Sequence, residues 1–393
     1  MAVVDDAVEI LRNLVGFDTT SRNSNRALID YVAAYLRGLG VEPLIVPTED
    51  GQKANLFATV GNAQGRGVCL SGHSDTVPVD HQPWTKNPFS LVEEDGRLYG
   101  RGTTDMKGFI AATLACVPLF IRQGGTIPFH IAISHDEELG CRGVPRLLAA
   151  LQSANIIPAA CVIGEPTSMQ MATAHKGKRA WRCTVHGRSG HSALTHQGVN
   201  AAEYGAAIVA FLTSLGREIR QSGKKDARFD PPYTSVHTGI IRSGTALNII
   251  PDECVIEFEM RNIPGDDCGP LFDRLTAFVE RELTPPMKAV DQKARVEFEV
   301  LSSYPALDEI QAGAWLRETA AACLGQTRPL TMSYGTEGGL FQAMGVPSIV
   351  CGPGSMQQGH KADEFVTREQ LAACVQFIEQ LAGQVGKLDA LPV

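Results

Sequence analysis

The chain has no dense block of Lys or Arg, no C-x-x-C pair and no uninterrupted apolar run of the ~18–20 residues that a bilayer span needs. Each absence closes a class. With 35 Lys and Arg against 43 Asp and Glu the formal net charge is −8, which argues against nucleic acid or an anionic membrane as partner. Ten cysteines are scattered through 393 residues, a chain far too large to need disulfides. They read as reduced, buried thiols and point away from cysteine-based metal binding. Residues 1–10 carry Asp5, Asp6 and Glu9 where a signal peptide has a basic start and an apolar core, so a cytoplasmic location is expected. No internal repeat or low-complexity segment is visible.

What remains is an ordinary globular composition, 44% hydrophobic and 20% charged, in a chain long enough for two or three domains with a buried core. Residues 3–16 and 25–38 read as amphipathic helices, with Leu11, Leu14 and Val15, then Ile29, Tyr31, Val32 and Leu36 on their apolar faces. Residues 56–60, 67–71, 127–134 and 159–163 read as strands buried on both faces, and 108–123 as a helix between them. Such alternation predicts an α/β fold with a mostly parallel sheet, whose ligands gather at the carboxyl ends of the strands. Beyond about residue 178 the texture changes. Strand-like 179–187, helical 200–220, the pair 234–240 and 254–260, helical 271–283 and the strictly alternating 294–300 follow a β-α-β-β-α-β order. That order predicts an inserted ferredoxin-like α+β domain, 178–303, within a discontinuous larger domain, 1–177 and 304–393.

Six short segments each set an acidic or imidazole side chain beside glycine at the end of an apolar run. They hold His73 and Asp75 (S-G-H-S-D), Asp105 (G-T-T-D-M-K-G), Glu137 and Glu138 (H-D-E-E-L-G), Glu165 (G-E-P-T), His191 (G-H-S) and His360 (Q-G-H-K). Two histidines and three carboxylates are what a pair of close divalent cations requires. Imidazole and carboxylate suit Zn²⁺, with Co²⁺ as the other candidate, and a shared carboxylate can bridge two metals about 3.5–4 Å apart. A further glutamate beside a ligand is free to carry protons. His73, Glu137, Glu138 and Glu165 all follow strand runs, so topology alone gathers them in one crevice. His135, His175, His186, His196 and His237 match no metal position and are expected in packing or surface roles.

Taken together, S-G-H-S-D-T-V-P, Y-G-R-G-T-T-D-M-K-G, D-E-E-L-G, G-E-P-T and the late G-H-K-A-D-E-F resemble the M20 metallopeptidase and amidohydrolase family. Each segment is weak alone; with the G-H-S of His191 they make six in order, and six are specific. The resemblance covers essentially the whole chain, and it implies a catalytic domain carrying a lid through which two copies form a homodimer. It implies one metal on His73 and Glu165, the other on Glu138 and His360, with Asp105 bridging and a cis peptide after it. Asp75 would accept the second N–H of His73, and Glu137 would be the general base. His191 of the lid would reach a second copy's active site and steady the oxyanion. Asn248, Arg261 and the Gly335–Thr336 turn match substrate-contacting positions, Arg261 being suited to an α-carboxylate. The segments 231–240, 244–251 and 334–342 narrow the likeness to members that deacetylate N-acetyl-L-ornithine. Glu337, next to that turn, is the candidate partner for the ornithine ammonium. The implied activity is hydrolysis of the amide bond of a small N-acyl amino acid. N-succinyl or other N-acyl substrates and dipeptides are the alternatives, and a non-catalytic metal-binding relative the remote one.

Overall fold

In the computed structural model, which describes residues 2–62, 65–124, 127–388 and 390–391, the amphipathic spacing near the start produces two helices, Ala2–Val15 and Arg26–Gly38. Leu11, Leu14 and Val15 of the first are fully buried, as are Ile29, Val32 and Leu36 of the second, while Tyr31 packs partly covered against the same core. Each such aliphatic side chain taken out of water contributes about 1.5–3 kcal/mol.

The chain divides into two units. The first comprises the residues up to Ala174, Leu307–Thr331 and the stretch from Thr336 onward; the second comprises His175–Ala306 with Met332–Gly335. The short return of Met332–Gly335 to the second unit differs from the expected boundaries and places Gly335 outside the catalytic domain.

The first unit is organised by an eight-stranded sheet. Its order is Leu44–Pro47, Ala54–Val60, Phe129–Ser134, Val68–His73, Ala160–Ile163, Ser348–Val350, Ala172–His175 and Leu330–Met332. The four central strands run parallel, and antiparallel pairings flank them. Every residue of Val68–His73, Phe129–Ser134 and Ala160–Ile163 is buried, the mark of strands covered on both faces. The expected helix 108–123 is broken into Gly108–Ala115 and Val117–Gln123, because Pro118 has no N–H to continue the ladder. By length and composition Thr103–Gln123 is apolar enough to cross a bilayer, a segment that the sequence reading passed over. It is 83% buried inside the protein and forms part of the core.

The second unit is built on four antiparallel strands, Lys178–His186, Ser235–Ser243, Glu253–Arg261 and Arg295–Tyr304. Numbered along the chain they lie in the order second, third, first, fourth, which with the helices Ala201–Ser222 and Gly269–Phe278 is the ferredoxin-like arrangement. Trp181, Cys183, Val185, Ile256 and Phe258 form its core with Leu212 and Leu275. The alternation along Arg295–Tyr304 slips between Val300 and Ser302, where a bulge shifts the register.

Candidate active site

His73 is the last residue of its strand, Glu137 and Glu138 follow Ser134 closely, and Glu165 lies just past Ile163. All therefore stand at the carboxyl ends of parallel strands. Close packing holds the ends in place: a Cβ added at Gly164 would fall 1.9 Å from the Phe109 ring, so only glycine lets the strand before Glu165 lie against the helix Gly108–Ala115. Asp105 comes from the irregular turn Thr103–Lys107, entered through Gly102 at φ +80°. The Asp105–Met106 peptide is cis, as the resemblance implied. His360 lies in the loop after Ser348–Val350 with φ +60°, its side chain 43% exposed.

Asp105 divides its two oxygens between the imidazoles. Oδ1 is 3.0 Å from His73 Nε2, and Oδ2 is 3.0 Å from His360 Nε2. Glu165 Oε1 lies 3.7 Å from His73 Nε2, and Glu138 Oε2 lies 3.1 Å from His360 Nε2. The five groups thus form two half-sites, His73 with Glu165 and His360 with Glu138, joined by one carboxylate. Burial alone would raise the Asp105 carboxyl, but the two imidazoles outweigh it and hold the group well below its ordinary range. Asp105 and Glu138 in turn hold the His360 imidazolium up to about 10. Glu138 is pushed up to about 7 by burial and by Asp105, and Glu165 is also raised well above its ordinary range by burial, with Asp105 and Glu137 adding to it. Such crowding of carboxylates around two imidazoles is chemically a cation site. Nitrogen and oxygen donors in two half-sites sharing one carboxylate fit a pair of divalent ions.

Glu137 is half-buried and ringed by ionisable side chains. Burial pushes its carboxyl up to about 8; His73 works against that, Glu138, Glu337 and Asp105 with it. The Cys141 thiol lies 3.3 Å from Glu137 Oε1 as a donor.

Asp75 departs from expectation. His73 Nδ1 donates to the Asp75 backbone carbonyl at 2.9 Å, while the nearer carboxylate oxygen is 3.6 Å away. The carboxylate instead accepts the backbone N–H of Glu137 at 3.1 Å and of Glu138 at 3.3 Å, and the Ser21 hydroxyl at 2.8 Å. His73 ends its strand, so the chain turns before residue 75 and the facing geometry of an extended segment does not apply. Glu337 is 1% exposed and accepts a hydrogen bond from the Ser134 hydroxyl. Burial pushes it up to about 7 against that bond. Sequence reasoning missed Ser21, Ser134, Gln82, Arg101 and the role of Glu364; the last two form a buried ion pair beside Asp105.

In the second unit His191 is exposed, and its Nδ1 accepts the Ala193 N–H at 3.1 Å. That bond leaves the proton of the neutral ring on Nε2, pointing to a donor at the outer edge. Asn248 is exposed and its carbonyl accepts from Ser192. Arg261 spends Nε on Glu259 at 2.7 Å. Gly335 packs where a Cβ would meet the Tyr304 ring at 2.1 Å. Thr336, in the first unit, is buried and its hydroxyl accepts the Gly338 N–H at 3.0 Å.

A parallel-sheet unit with two joined imidazole–carboxylate half-sites and a half-buried glutamate beside them defines a metal-dependent hydrolase. The profile of peptidase family M20/M25/M40 matches residues 69–384. The chain is 34% identical to the acetylornithine deacetylase of Pasteurella multocida (strain Pm70) over 362 residues, 92% of this chain and 91% of that one. It is also 34% identical to the acetylornithine deacetylase of Proteus mirabilis (strain HI4320) over 385 residues, 96% and 95% of the two chains. This protein therefore belongs to the M20 family and is an amidohydrolase of it. Its fold is shared with an M20-family metallo-carboxypeptidase from Sulfolobus solfataricus, at TM-score 0.77 and 15% identity over 98% of this chain and 100% of that one. A dinuclear metal-binding M20 peptidase from Bacillus subtilis aligns at TM-score 0.68 and 14% identity over 98% of each chain.

Proposed function

We propose that the protein hydrolyses the amide bond of an N-acyl amino acid, N-acetyl-L-ornithine foremost, giving acetate and ornithine for arginine synthesis. The observation that carries the hydrolytic reading is Asp105, one oxygen on each imidazole, with Glu137 close by. The choice of substrate rests on the likeness to acetylornithine deacetylases along nearly the whole chain.

His73 and Glu165 would hold one divalent cation, Glu138 and His360 the other, and Asp105 both. Zn²⁺ suits the donor set best and Co²⁺ fits it as well. The cations, when bound, polarise the amide carbonyl and make water a nucleophile at neutral pH. Glu137 takes a proton from the attacking water and returns it to the nitrogen as the C–N bond breaks. The His191 Nε2–H, supplied from a second copy of the chain in a homodimer joined through the lid, donates to the carbonyl oxygen as charge develops there. Arg261 would meet the substrate α-carboxylate, and Asn248, Gly335 and Thr336 would contact the substrate as well. Glu337 would meet the ornithine ammonium. The ten free cysteines suit a reducing, cytoplasmic setting.

Acetate release from N-acetyl-L-ornithine by the metal-loaded protein tests the proposal, with Glu137→Gln as its partner. The variant should retain two equivalents of metal and lose several orders of magnitude in kcat. Loss of one equivalent would make Glu137 a ligand. A metal-loaded wild type that releases no acetate would dismiss the substrate.

A further inference from the structure

A buried ion pair in the catalytic unit has no part in the reaction as assigned above. Arg101 and Glu364 are each 1% exposed, with Nη1 2.7 Å from Oε2. Such a pair gains little net stability, because desolvation offsets the attraction, so what else the two side chains hold is informative. The second oxygen of Glu364, Oε1, accepts the backbone N–H of Thr104 at 2.9 Å and of Asp105 at 3.1 Å. Arg101 Nη1 also donates to the Lys361 carbonyl at 3.3 Å. Its Nη2 donates to the Pro78 carbonyl at 3.3 Å and to the Gln82 side-chain oxygen. Gln82 in turn donates through Nε2 to the His360 carbonyl at 3.1 Å. Trp84 covers the guanidinium, 5.0 Å from its ring centre. Three segments converge here: the one after His73, the turn carrying Asp105 and the loop carrying His360.

We propose that Arg101 and Glu364 are positioning residues, a cross-brace that sets the His360 imidazole against Asp105 and so governs how tightly the His360 side holds its cation. The inference rests on the metal assignment above. Neither side chain need touch the cation, since both act on backbone: Glu364 on the amide of Asp105, Arg101 on the carbonyl of Lys361 and, through Gln82, on that of His360. The loop needs such fastening, because His360 lies outside any helix or strand and is 43% exposed. Glu165 and His73 belong to strand ends already fixed by the sheet, so their half-site should feel the brace less.

The test is titration of Co²⁺ into the metal-free, full-length protein, followed by calorimetry and by the visible d–d spectrum. Three variants separate the roles. Glu364→Gln keeps an oxygen for the two N–H groups but strands the Arg101 charge. Arg101→Lys keeps the charge but has no planar fork to span its partners. Gln82→Ala, at a half-buried position, cuts the link to the His360 carbonyl together with the bonds that Gln82 accepts from Arg101 and the Trp84 indole, and leaves the Arg101–Glu364 pair itself in place. Wild type should take two equivalents. Glu364→Gln and Arg101→Lys should take one with affinity changed less than about threefold and the second about 10–100-fold more weakly, with an altered spectrum for that second increment. Gln82→Ala should move the same equivalent in the same direction by less. Should the core variants fail to fold, Gln82→Ala decides alone. Both equivalents unchanged in Gln82→Ala and in every folded core variant would overturn the proposal. So would both weakening alike together with the thermal midpoint of the metal-free protein, which is what a plain scaffold role gives. A wild type that binds fewer than two Co²⁺ ions would overturn the metal assignment itself, a failure seen before any variant is compared.

Discussion

Asp75→Asn separates two jobs that a carboxylate beside a metal-binding histidine can have. Three donors feed the two oxygens of Asp75: the Glu137 N–H goes to Oδ1, while the Glu138 N–H and the Ser21 hydroxyl go to Oδ2. Asparagine offers one oxygen. Placed at the Oδ2 position it abandons Glu137; flipped, it turns its amide N–H groups toward the Glu138 N–H, while Ser21 can rotate to accept. In either orientation one backbone N–H at the catalytic turn loses its acceptor, at a cost of about 1–3 kcal/mol. Amide exchange in the metal-free protein should therefore speed up at Glu137 or Glu138 by roughly tenfold to hundredfold. The kcat of the loaded enzyme should fall by a similar order, because the general base is displaced from its proton path. Metal content should stay at wild-type level, since the His73 ring is held by the Asp75 carbonyl, which the substitution leaves in place. The reasoning is refuted if Asp75→Asn loses an equivalent of metal while both amides keep their protection, for then the carboxylate serves the imidazole.

Three further outcomes are expected. His191→Ala and His73→Ala should each be nearly inactive, and mixed, reassembled dimers should regain part of the activity; no recovery with heterodimers demonstrably present would exclude a histidine acting across the dimer. Glu337→Gln should raise KM for N-acetylornithine about tenfold to hundredfold, on the order of 1–3 kcal/mol for a partly desolvated ammonium–carboxylate pair, and spare N-acetylmethionine. Equal losses on both substrates would leave Glu337 with only its bond to Ser134. His130 is held neutral at about 4 by burial, with its Nε2 accepting the Gly67 N–H. The unfolded chain, near 6.5, therefore takes the proton first, and stability should fall as pH drops from about 6.5 toward 4, by about 2 kcal/mol at pH 5. Urea titrations of wild type and His130→Gln at pH 7 and 5 check this, and an identical loss in both would refute it.

The residues that gather at the candidate site were legible because their chemistry is local. Glycine, imidazole and carboxylate at the end of an apolar run announce a strand end that faces a ligand, and the parallel sheet gathers such ends without further information. The break at Cys116 was missed, although Pro118 stands two residues later. What could not be read depends on contacts distant in sequence. Arg101 and Glu364 look like surface charges until a fold brings them together out of water. Lys107, in the same stretch as Asp105, is buried with its ammonium on the Phe17 carbonyl at 2.8 Å, and burial lowers it to about 7; no pattern marks a lysine as interior. Asp75 was placed correctly but given the wrong bond, because periodicity says which way a side chain points only while the strand continues. Met332–Gly335 belongs to the second unit through packing alone.

The parallel core has one consequence for how the protein is made. Ser348–Val350 pairs with Ala160–Ile163 on one side and meets Ala172 on the other, so the sheet stays open along that line until the ribosome has passed residue 350. About 185 residues separate Ile163 from Ser348. At about 5–20 residues per second the gap lasts roughly 10–40 s. Throughout that time a strand whose every residue is buried in the finished fold presents an unpaired edge to its surroundings. The second unit, nearly continuous in sequence, has by then emerged and is free to fold. Whether a newborn chain aggregates is thus settled by translation speed and chaperone supply during one interval, and the stability of the finished enzyme does not enter.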